Sequence, residues 1–391
     1  MARLGDLCTI QSGGTPSRHN KDYWEKGRIP WVKISDIKGK CLDITEEYIS
    51  ELGLENSSAK IFPAGTILYT IFATLGEVCV LNIDAATNQA IAGIQLKDGR
   101  VDKDYLYYYL FSRKATVNNI GRGVAQNNIN MTILRDFEVP LPTPDEQRKI
   151  AAVLDKVSDL IAKRRQQLDK LDEMVKARFV EMFGDPIGNP YHWNIKRLFQ
   201  LGDCKNGMNF RLTDIGVNIH CLGVGDFKNL SCISDTSKLS TISLTDMPSD
   251  EYMLKDGDIV FVRSNGNKAL VGRSLVVYPA TIPTTFSGFC IRFRLHTDEV
   301  KANYLLRVLK NDSIRKKMAG RGANIQNLNQ KILGELQIPV PPLELQNQFT
   351  VFVEQTDKTR TIINHSLEKL EILKKALMQK YFNKEGGAIV L

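Results

Sequence analysis

The chain has 391 residues, of which 43% are hydrophobic and 25% are charged. These proportions are ordinary for a folded globular protein and exclude an intrinsically disordered chain, while the length allows two or three domains. Lysine and arginine number 52 against 44 acidic residues, and the resulting charge of +8 either suits a polyanionic partner such as nucleic acid or serves solubility alone.

Cysteine spacing and the length of apolar segments indicate the cellular compartment of the protein. The seven cysteines form no CxxC pair and no zinc-type spacing with histidine, so we expect reduced thiols, with Cys8, Cys79 and Cys290 packed as small apolar side chains. The N-terminus lacks an apolar core of signal-peptide length, and Gly76 and Glu77 interrupt the most hydrophobic run. We therefore expect a cytoplasmic protein that does not engage a membrane.

The first part of the chain has the pattern of a mixed α and β domain. The runs IPWVKISDIKG (29–39) and FPAGTILYT (62–70) are rich in strand-forming residues and are bounded by glycine, proline or aspartate. The segment VDKDYLYYYLFSRK (101–114) has apolar residues three and four positions apart, which predicts a short amphipathic helix. The glycine-rich phrase GRGVAQNNIN (121–130) and the exit PLPTP then end the domain.

A long helix follows this exit. Thr143 can act as its N-cap, Pro144 suits the first helical position, and Glu146 completes a capping box. The helix is expected to stop at Gly184 and Pro186, so it would contain about 39 residues and measure roughly 58 Å. Its apolar positions alternate in steps of four and three: Ile150, Leu154, Val157, Ile161, Leu168, Leu171, Val175 and Met182.

The remainder of the chain repeats this organisation. Shifting the sequence by 199 positions aligns residues 121–150 with residues 320–349 without gaps and with ten identities, among them Gln147 with Gln346. At the same shift VDKDYLYYYLFSRK aligns with VKANYLLRVLKNDS, and with a small slip IPWVKISDIKG and FPAGTILYT correspond to IHCLGVGDFKN and LKDGDIVFV. A whole structural unit has therefore been duplicated.

A second long helix is predicted from Leu343 to about Lys384. It keeps the seam positions of the first, although Thr356, Arg360 and Lys374 interrupt the apolar stripe of Phe349, Val353, Ile363, Leu367, Leu370, Leu377 and Tyr381. Two long helices with matched seams most simply bury those seams against each other. Alternatively, each helix packs separately on the surface of its own domain.

These patterns predict an α+β fold in which two internally repeated mixed α/β domains are separated by two long helices. The predicted boundaries are residues 1–143 for the first domain, 144–184 for the central helix, 185–341 for the second domain, and 342–391 for the C-terminal helix and tail.

A search for catalytic motifs returns none that is complete. There is no GxxxxGK[ST] phosphate loop, no GxGxxG, no GxSxG and no HExxH. The nearest match to the NPPY motif of a DNA methyltransferase is NPYH at 189–192, and the E-x-K sequence EVK at 299–301 has no suitably spaced aspartate. We expect that the chain is not an enzyme by itself and binds neither metal nor cofactor.

Binding chemistry is better represented. Residues 301–331 contain eight basic residues and the single acid Asp312, a density that suits phosphates or, alternatively, a solvated helix face. Polar side chains that can bind base edges occur in SRHNK (17–21), TNQ (87–89) and RSNGNK (263–268), which could equally form plain turns. The glycines of the two GRG phrases either bring the backbone close to a phosphate or only form a turn.

The duplicated arrangement resembles the specificity (S) subunit of type I restriction-modification enzymes. The resemblance covers essentially the whole chain, and its most specific parts are NNINMTILRDFEVPLPTPDEQRKIAAVLD, its echo NLNQKILGELQIPVPPLELQNQF, the opening LGDLCTIQSGGTPS and the strand IPWVKISDI. It implies two target recognition domains that each bind one half of a split double-stranded DNA site. It also implies that the long helices form an antiparallel coiled coil with pseudo-two-fold symmetry that sets the spacing.

The resemblance further implies partners. Two methyltransferase (M) subunits would dock on this chain and use S-adenosylmethionine, and restriction/motor (R) subunits would use ATP and Mg. The alternatives are a self-contained DNA methyltransferase or nuclease, and a DNA-binding adaptor outside restriction. The residues we predict to contact DNA are Arg18, Lys33, Ser35, Thr74, Asn88, Gln89, Arg122, Gln126, Asn128, Arg263, Asn265, Asn267, Lys268, Arg273, Lys316, Arg321, Gln326 and Asn327.

Overall fold

The protein is described from a computed structural model that covers residues 1–121, 129–210, 215–227, 230–318 and 327–382. Contacts within the chain divide it into two units. Unit 1 comprises residues 1–165 together with the end of the chain from His365, and unit 2 comprises Gln166–Asn364. The predicted domain boundaries differ from this division, which assigns part of each long helix to each unit, and they stay a prediction.

Unit 1 is built from short strands and helices. Its strands are β1 Ala2–Arg3, β2 Cys8–Ser12, β3 Ile29–Val32, β4 Cys41–Leu42, β5 Glu47–Ile49, β6 Ile61–Phe62, β7 Ile67–Thr70, β8 Val78–Leu81, β9 Ala85–Thr87, β10 Ile91–Leu96 and β11 Glu138–Val139. Its helices are α1 Leu4–Leu7, α2 Glu51–Glu55, α3 Lys103–Ser112, α4 Lys114–Gly121 and α5 Met131–Arg135, followed by the first part of α6 Pro144–Phe183.

The core of unit 1 lies under a five-stranded sheet with the order β2-β10-β7-β8-β4. All four residues of β7 are buried, as expected for a central strand that is covered on both faces. Helix α3 buries six consecutive residues, Tyr105 to Leu110, against this sheet and the long helices. A second sheet of order β5-β3-β9-β6 carries the predicted strand Ile29–Val32.

Unit 2 repeats these elements. Its strands are β12 Asn194–Arg197, β13 Gly202–Asn206, β14 Val217–Leu222, β15 Cys232–Ile233, β16 Thr241–Leu244, β17 Asp258–Val262, β18 Ser274–Val277, β19 Thr284–Phe286, β20 Cys290–Leu295 and β21 Gln337–Val340. Its helices are α7 Ala302–Lys310, α8 Asp312–Met318 and α9 Gln330–Gly334, with part of α10 Leu343–Phe382. The five-stranded order β13-β20-β17-β18-β15 matches that of unit 1, and β16-β14-β19 matches three of the four strands in the second sheet of unit 1, which confirms the internal repeat.

The start of each long helix is tied to its domain in the same way. The capping box of α6 is present, since the Thr143 backbone N–H donates to Glu146 Oε2 at 3.0 Å. The identical residues Gln147 and Gln346 are both buried, and each makes three hydrogen bonds to backbone groups. In each unit, the same glutamine therefore joins the β domain to the long helix that follows it.

The two long helices pack together within each unit. In unit 1, Ala151 and Leu154 near the start of α6 share a core with Met378 and Phe382 at the end of α10. In unit 2 the ends are reversed, because Phe179 and Phe183 of α6 pack with Phe349 near the start of α10. Within each unit the helices run antiparallel, because Arg165 farther along α6 meets Glu371 earlier in α10 in unit 1, and Asp172 meets Arg360 in unit 2. In both units they pack on the domain as well as on each other.

The seams differ from the prediction in detail. The predicted seam passes through Met182, whereas Phe179 and Phe183 are the buried residues and Met182 is only partly buried. The two cations that interrupt the second seam have partners, since Arg360 Nη2 lies 2.7 Å from Asp172 Oδ1 and Lys374 Nζ lies 5.1 Å from the centre of the Phe111 ring. Cation and ring contacts of this kind allow charge at a helix interface.

The predicted packing of Cys8, Cys79 and Cys290 is confirmed, because all three side chains are buried. Burial raises the pKa of each of these thiols to about 12. Among the residues that the structure describes, no helix is long and apolar enough to cross a membrane.

Candidate nucleic-acid interface

In unit 1, backbone hydrogen bonds gather three loops at one edge of the sheets. The Gly14 N–H donates to Thr87 O at 2.9 Å, which joins the loop after β2 to the TNQ segment. The Asn88 N–H donates to Val32 O at 3.0 Å, so Lys33 follows directly beside that segment. The hydroxyl of Thr15 also donates to the side-chain oxygen of Gln89. Candidates far apart in the sequence therefore lie on one surface.

A fourth loop, which follows β7, reaches the same edge. The Ile71 N–H donates to Ala90 O at 2.8 Å, and Ile71 O accepts from the Ile129 N–H at 2.9 Å. Thr74 is exposed in the loop that follows Ile71. Ile129 is the ninth residue of the glycine-rich phrase GRGVAQNNIN, so the described end of that phrase, residues 129–130, lies against this loop.

Glycine is required where these loops cross. A Cβ added at Gly13 would lie 2.3 Å from Thr87 O, and one added at Gly207 in unit 2 would lie 2.1 Å from Ser287 O. Both distances are shorter than any tolerable contact, so only glycine lets the backbone approach so closely. The motif QSGG of the first domain therefore has a structural role in positioning the loops.

The charged side chains at this edge of unit 1 are paired. Arg18 Nη1 lies 2.6 Å from Glu47 Oε2, and Lys33 Nζ lies 2.9 Å from Glu46 Oε2 and 3.0 Å from Glu47 Oε1. The hydrogen bonds to Glu46 and Glu47 raise the pKa of Lys33 above its usual range. The guanidinium of Arg18 also stacks 3.5 Å from the centre of the Trp24 ring. The cluster therefore offers both acidic and basic groups to a ligand.

Unit 2 presents a polar concavity at the corresponding edge. Its volume is about 430 Å³, and it is lined by Val224, Ser264, Asn265, Gly266, Phe289 and Asn327. Ser264 and Asn327 are joined by an isolated backbone bridge, and Arg263 O accepts from the Leu328 N–H at 2.8 Å. Phe289 projects into this surface and is 61% exposed, an unusual state for a phenylalanine.

The two units share one hydrogen-bond framework but display different side chains on it. The bond from Asn88 N–H to Val32 O corresponds to the bond from Ser287 N–H to Leu222 O. The bonds of Ile71 to residues 90 and 129 correspond to those of Arg263 to residues 289 and 328. On this common backbone, Lys33, Asn88, Gln89, Ala90 and Phe72 are replaced by Gly223, Ser287, Gly288, Phe289 and Ser264.

Several predicted contact residues lie elsewhere or serve the loops themselves. Asn265 and Asn267 accept hydrogen bonds from the backbone at 2.8 Å and 3.0 Å, and so shape their own turn. Ser35 is exposed in the 3-10 turn Ile34–Asp36. Lys316 is exposed on α8 and does not line the polar concavity of unit 2. Arg273 lines a different, basic cavity. Arg122, Gln126, Asn128, Arg321 and Gln326 lie outside the described residues, as does the side chain of Lys268.

Sequence reasoning missed several side chains at these edges. Glu46 and Glu47 were not predicted, because only the folded strand order brings them to Arg18 and Lys33. Phe289 was missed because an aromatic residue beside a strand normally signals the core. Among the described residues, no group of three or more His, Cys, Asp or Glu is arranged to hold a metal ion.

Two copies of one β framework that display different polar loops, joined to paired long helices, define a modular recognition protein. The chain belongs to the type I restriction modification DNA specificity domain family, whose model matches residues 1–172 and 193–372. The fold, a pair of such domains with long helices, is therefore that of the specificity subunits.

Individual relatives agree with this assignment. The MjaIX specificity subunit of Methanocaldococcus jannaschii is 30% identical over 286 residues, which is 67% of this chain and 65% of that protein. The EcoR124I/EcoR124II specificity subunit of Escherichia coli is 28% identical over 163 residues, 40% of each chain. These alignments span less than two thirds of either relative. The crystal structure of the S subunit from M. genitalium shares the fold with a TM-score of 0.56 at 16% identity, over 98% of this chain and 96% of that one.

Proposed function

We propose that this chain is the DNA sequence-recognition subunit of a type I restriction-modification complex. Each unit would read one half of a bipartite site in double-stranded DNA, and the long helices would set the spacing between the halves. The observation that carries the proposal is the framework shared by the two units, on which residues 33, 88–90 and 72 of unit 1 are replaced by chemically different residues in unit 2. A common scaffold with different loops suits two readers of different bases.

The chemistry of the loops supports base recognition. Asparagine and glutamine side chains match the donor and acceptor pattern of adenine, and arginine and lysine match guanine. Glu46 and Glu47 add carboxylates, which can accept from the amino group of cytosine. We propose that DNA competes for Arg18 and Lys33, which are held by these carboxylates in the free protein.

The chain would not be catalytic by itself. We propose that two methyltransferase subunits dock on it and bind S-adenosylmethionine, and that restriction/motor subunits add ATP- and Mg-dependent cleavage. Apolar side chains exposed on the long helices support docking: Val153 and Leu160 on α6, and Val351, Ile362 and Ile372 on α10. Because such a complex acts on DNA inside the cell, we place the chain in the cytoplasm.

An exchange of recognition domains tests the division of labour. Residues 185–340 would be replaced by the corresponding segment of another family member, and the variant would be expressed with a methyltransferase subunit. Sequencing of methylated bases in the genome should show a new sequence in one half of the site and the original sequence in the other. The matched control exchanges residues 1–143, which should change only the other half. A change in both halves after either exchange would contradict the two-reader model.

The absence of catalysis is tested with the purified chain. Incubation with S-adenosylmethionine and DNA should give no methyl transfer until a methyltransferase subunit is added. Transfer by the chain alone would favour a self-contained methyltransferase. DNA binding without methylation in the presence of that subunit would favour an adaptor outside restriction.

A further inference from the structure

A basic cavity in unit 2 lies apart from the loops described above. It has a volume of about 480 Å³ and is enclosed by the later part of α6, by α7 and α8, and by the segments before β15 and β18. Its charged lining consists of Asp172, Lys176, Arg273, Arg307, Lys310, Asp312 and Arg315. Phe179, Phe227 and Leu230 form an apolar wall beside these groups. A volume of this size is typical of small-molecule sites, which span about 300 to 1,000 Å³.

The two carboxylates of the cavity already have cationic partners. Asp172 Oδ1 lies 2.7 Å from Arg360 Nη2, and Asp312 Oδ2 lies 2.9 Å from Lys176 Nζ. Among the residues that the structure describes, Arg307, Lys310 and Arg315 form no ion pair within salt-bridge distance, and Asp172, Asp357 and Asp312 act on them only from farther away. Positive charge that is only partly compensated in a partly enclosed site is costly, which favours an anionic ligand.

Arg307 also has buried nitrogen atoms that lack hydrogen-bond acceptors among the described residues. Its Nε and Nη2 atoms are buried and have no hydrogen-bond partner within the described parts of the chain. Within the described residues, Lys310 Nζ donates to two neutral oxygens, Leu230 O at 3.1 Å and Ser231 Oγ at 2.7 Å. Burial, followed by repulsion from Arg307, lowers the pKa of Lys310 to about 7. Buried donors without acceptors are rare in folded proteins, so the two Arg307 nitrogen atoms need an acceptor from a ligand or from water.

The corresponding part of unit 1 does not have this character. At the 199-residue shift, Arg307 and Lys310 correspond to Tyr108 and Phe111 of α3. Tyr108 donates through its hydroxyl to Asp155 Oδ1 at 2.7 Å, and Lys40 of the same region is paired with Asp104 and Asp155. The scaffold therefore does not require cations at these two positions, and their presence in unit 2 needs a separate explanation.

We propose that this cavity binds a small phosphate-bearing anion, with Arg307 and Lys310 as direct ligands and Arg315 contributing charge. The forked guanidinium of arginine and the ammonium of lysine both match phosphate oxygens. The apolar wall of Phe179 and Phe227 would contact an uncharged portion of the ligand, such as a nucleoside. Arg307 lines the cavity and its Nε and Nη2 atoms are buried, so a free phosphate suits this site better than the bulkier backbone of a polymer.

The test uses the full chain and two probes, inorganic phosphate and adenosine monophosphate, titrated calorimetrically at constant ionic strength. We expect saturable binding of one equivalent, weakened at least tenfold by Arg307→Gln and by Lys310→Gln. Lys238→Gln is the matched control because Lys238 is exposed and lies outside the cavity, and it should leave the affinity unchanged. Absence of saturable binding, or equal binding by all variants, would overturn the proposal.

A second readout does not depend on the variants being folded. Hydrogen exchange of the unmodified chain should slow in residues 302–316 when phosphate is added, and should not change when chloride replaces it. A duplex DNA arm separates the sources of phosphate. If DNA competes with phosphate and Arg307→Gln weakens DNA binding tenfold, the cavity belongs to the DNA surface and the small-anion proposal is wrong. This inference does not rest on the proposed function, since phosphate binding is measured without methylation.

Discussion

Replacing Gln346 by methionine should loosen the junction between the second domain and α10. The side chain is completely buried, its Oε1 accepts from the Lys301 N–H at 2.8 Å, and its Nε2 donates to Glu299 O at 2.9 Å and to Pro341 O at 2.8 Å. Methionine has nearly the same length but replaces none of these bonds. At about 1 to 1.5 kcal/mol for each of the three lost bonds, the free energy of unfolding of unit 2 should fall by about 3 to 4.5 kcal/mol.

Urea unfolding followed by hydrogen exchange measures this effect separately in each unit. The urea midpoint for peptides from residues 299–310 and 337–353 should fall. The control is Gln355→Met, an exposed change on the same helix, which should alter the free energy of unfolding by no more than about 0.5 kcal/mol. The mirror substitution Gln147→Met removes bonds to Asp102, Arg100 and Pro142, so it should lower the midpoint of unit 1 peptides. A loss below about 1 kcal/mol in both variants would refute the role assigned to these glutamines.

Three further predictions concern charge and exposure. Lys310 is deprotonated more readily in the folded chain than in the unfolded chain, so wild-type stability should rise with pH between about 7 and 10 relative to Lys310→Met. Urea unfolding of the wild type and of Lys310→Met at pH 7 and pH 9 checks this prediction. A stability difference between them that is the same at both pH values would contradict it. Arg294 donates from Nε to Asp258 Oδ1 at 2.8 Å and from Nη2 to Asp258 Oδ2 at 2.7 Å. Asp258→Ala removes this buried partner and should lower the free energy of unfolding in urea by about 3 to 5 kcal/mol. The double variant Asp258→Ala with Arg294→Met should recover part of that loss. Phe289→Ser should leave the melting temperature unchanged because the ring is exposed. If the proposed function holds, the same variant should relax base preference in one half of the methylated site. An unaltered methylation sequence would remove Phe289 from the interface.

Local sequence patterns predicted much of the fold. The capping box at Thr143, the stop at Gly184 and the matched strands at residues 29–32 and 217–222 all follow from neighbouring residues. The seam was predicted less well, because a periodic pattern does not distinguish Met182 from Phe183 when the helix also packs on a domain. The predicted DNA-contact residues remain predictions, although the structure brings Lys33, Asn88 and Gln89 to one surface.

The duplication, the two long helices and the family to which the chain belongs can all be inferred from the sequence alone. These features are written in identities such as Gln147 with Gln346 and in helical periodicity, both of which are visible along the chain. The folded structure was needed to show which loops meet. It was also needed to show that Glu46 and Glu47 pair with Arg18 and Lys33, and that Arg307 and Lys310 line a cavity. The physical reason is that strand pairing joins residues far apart in the chain, so the partner of a charge is set by sheet order rather than by its neighbours in sequence.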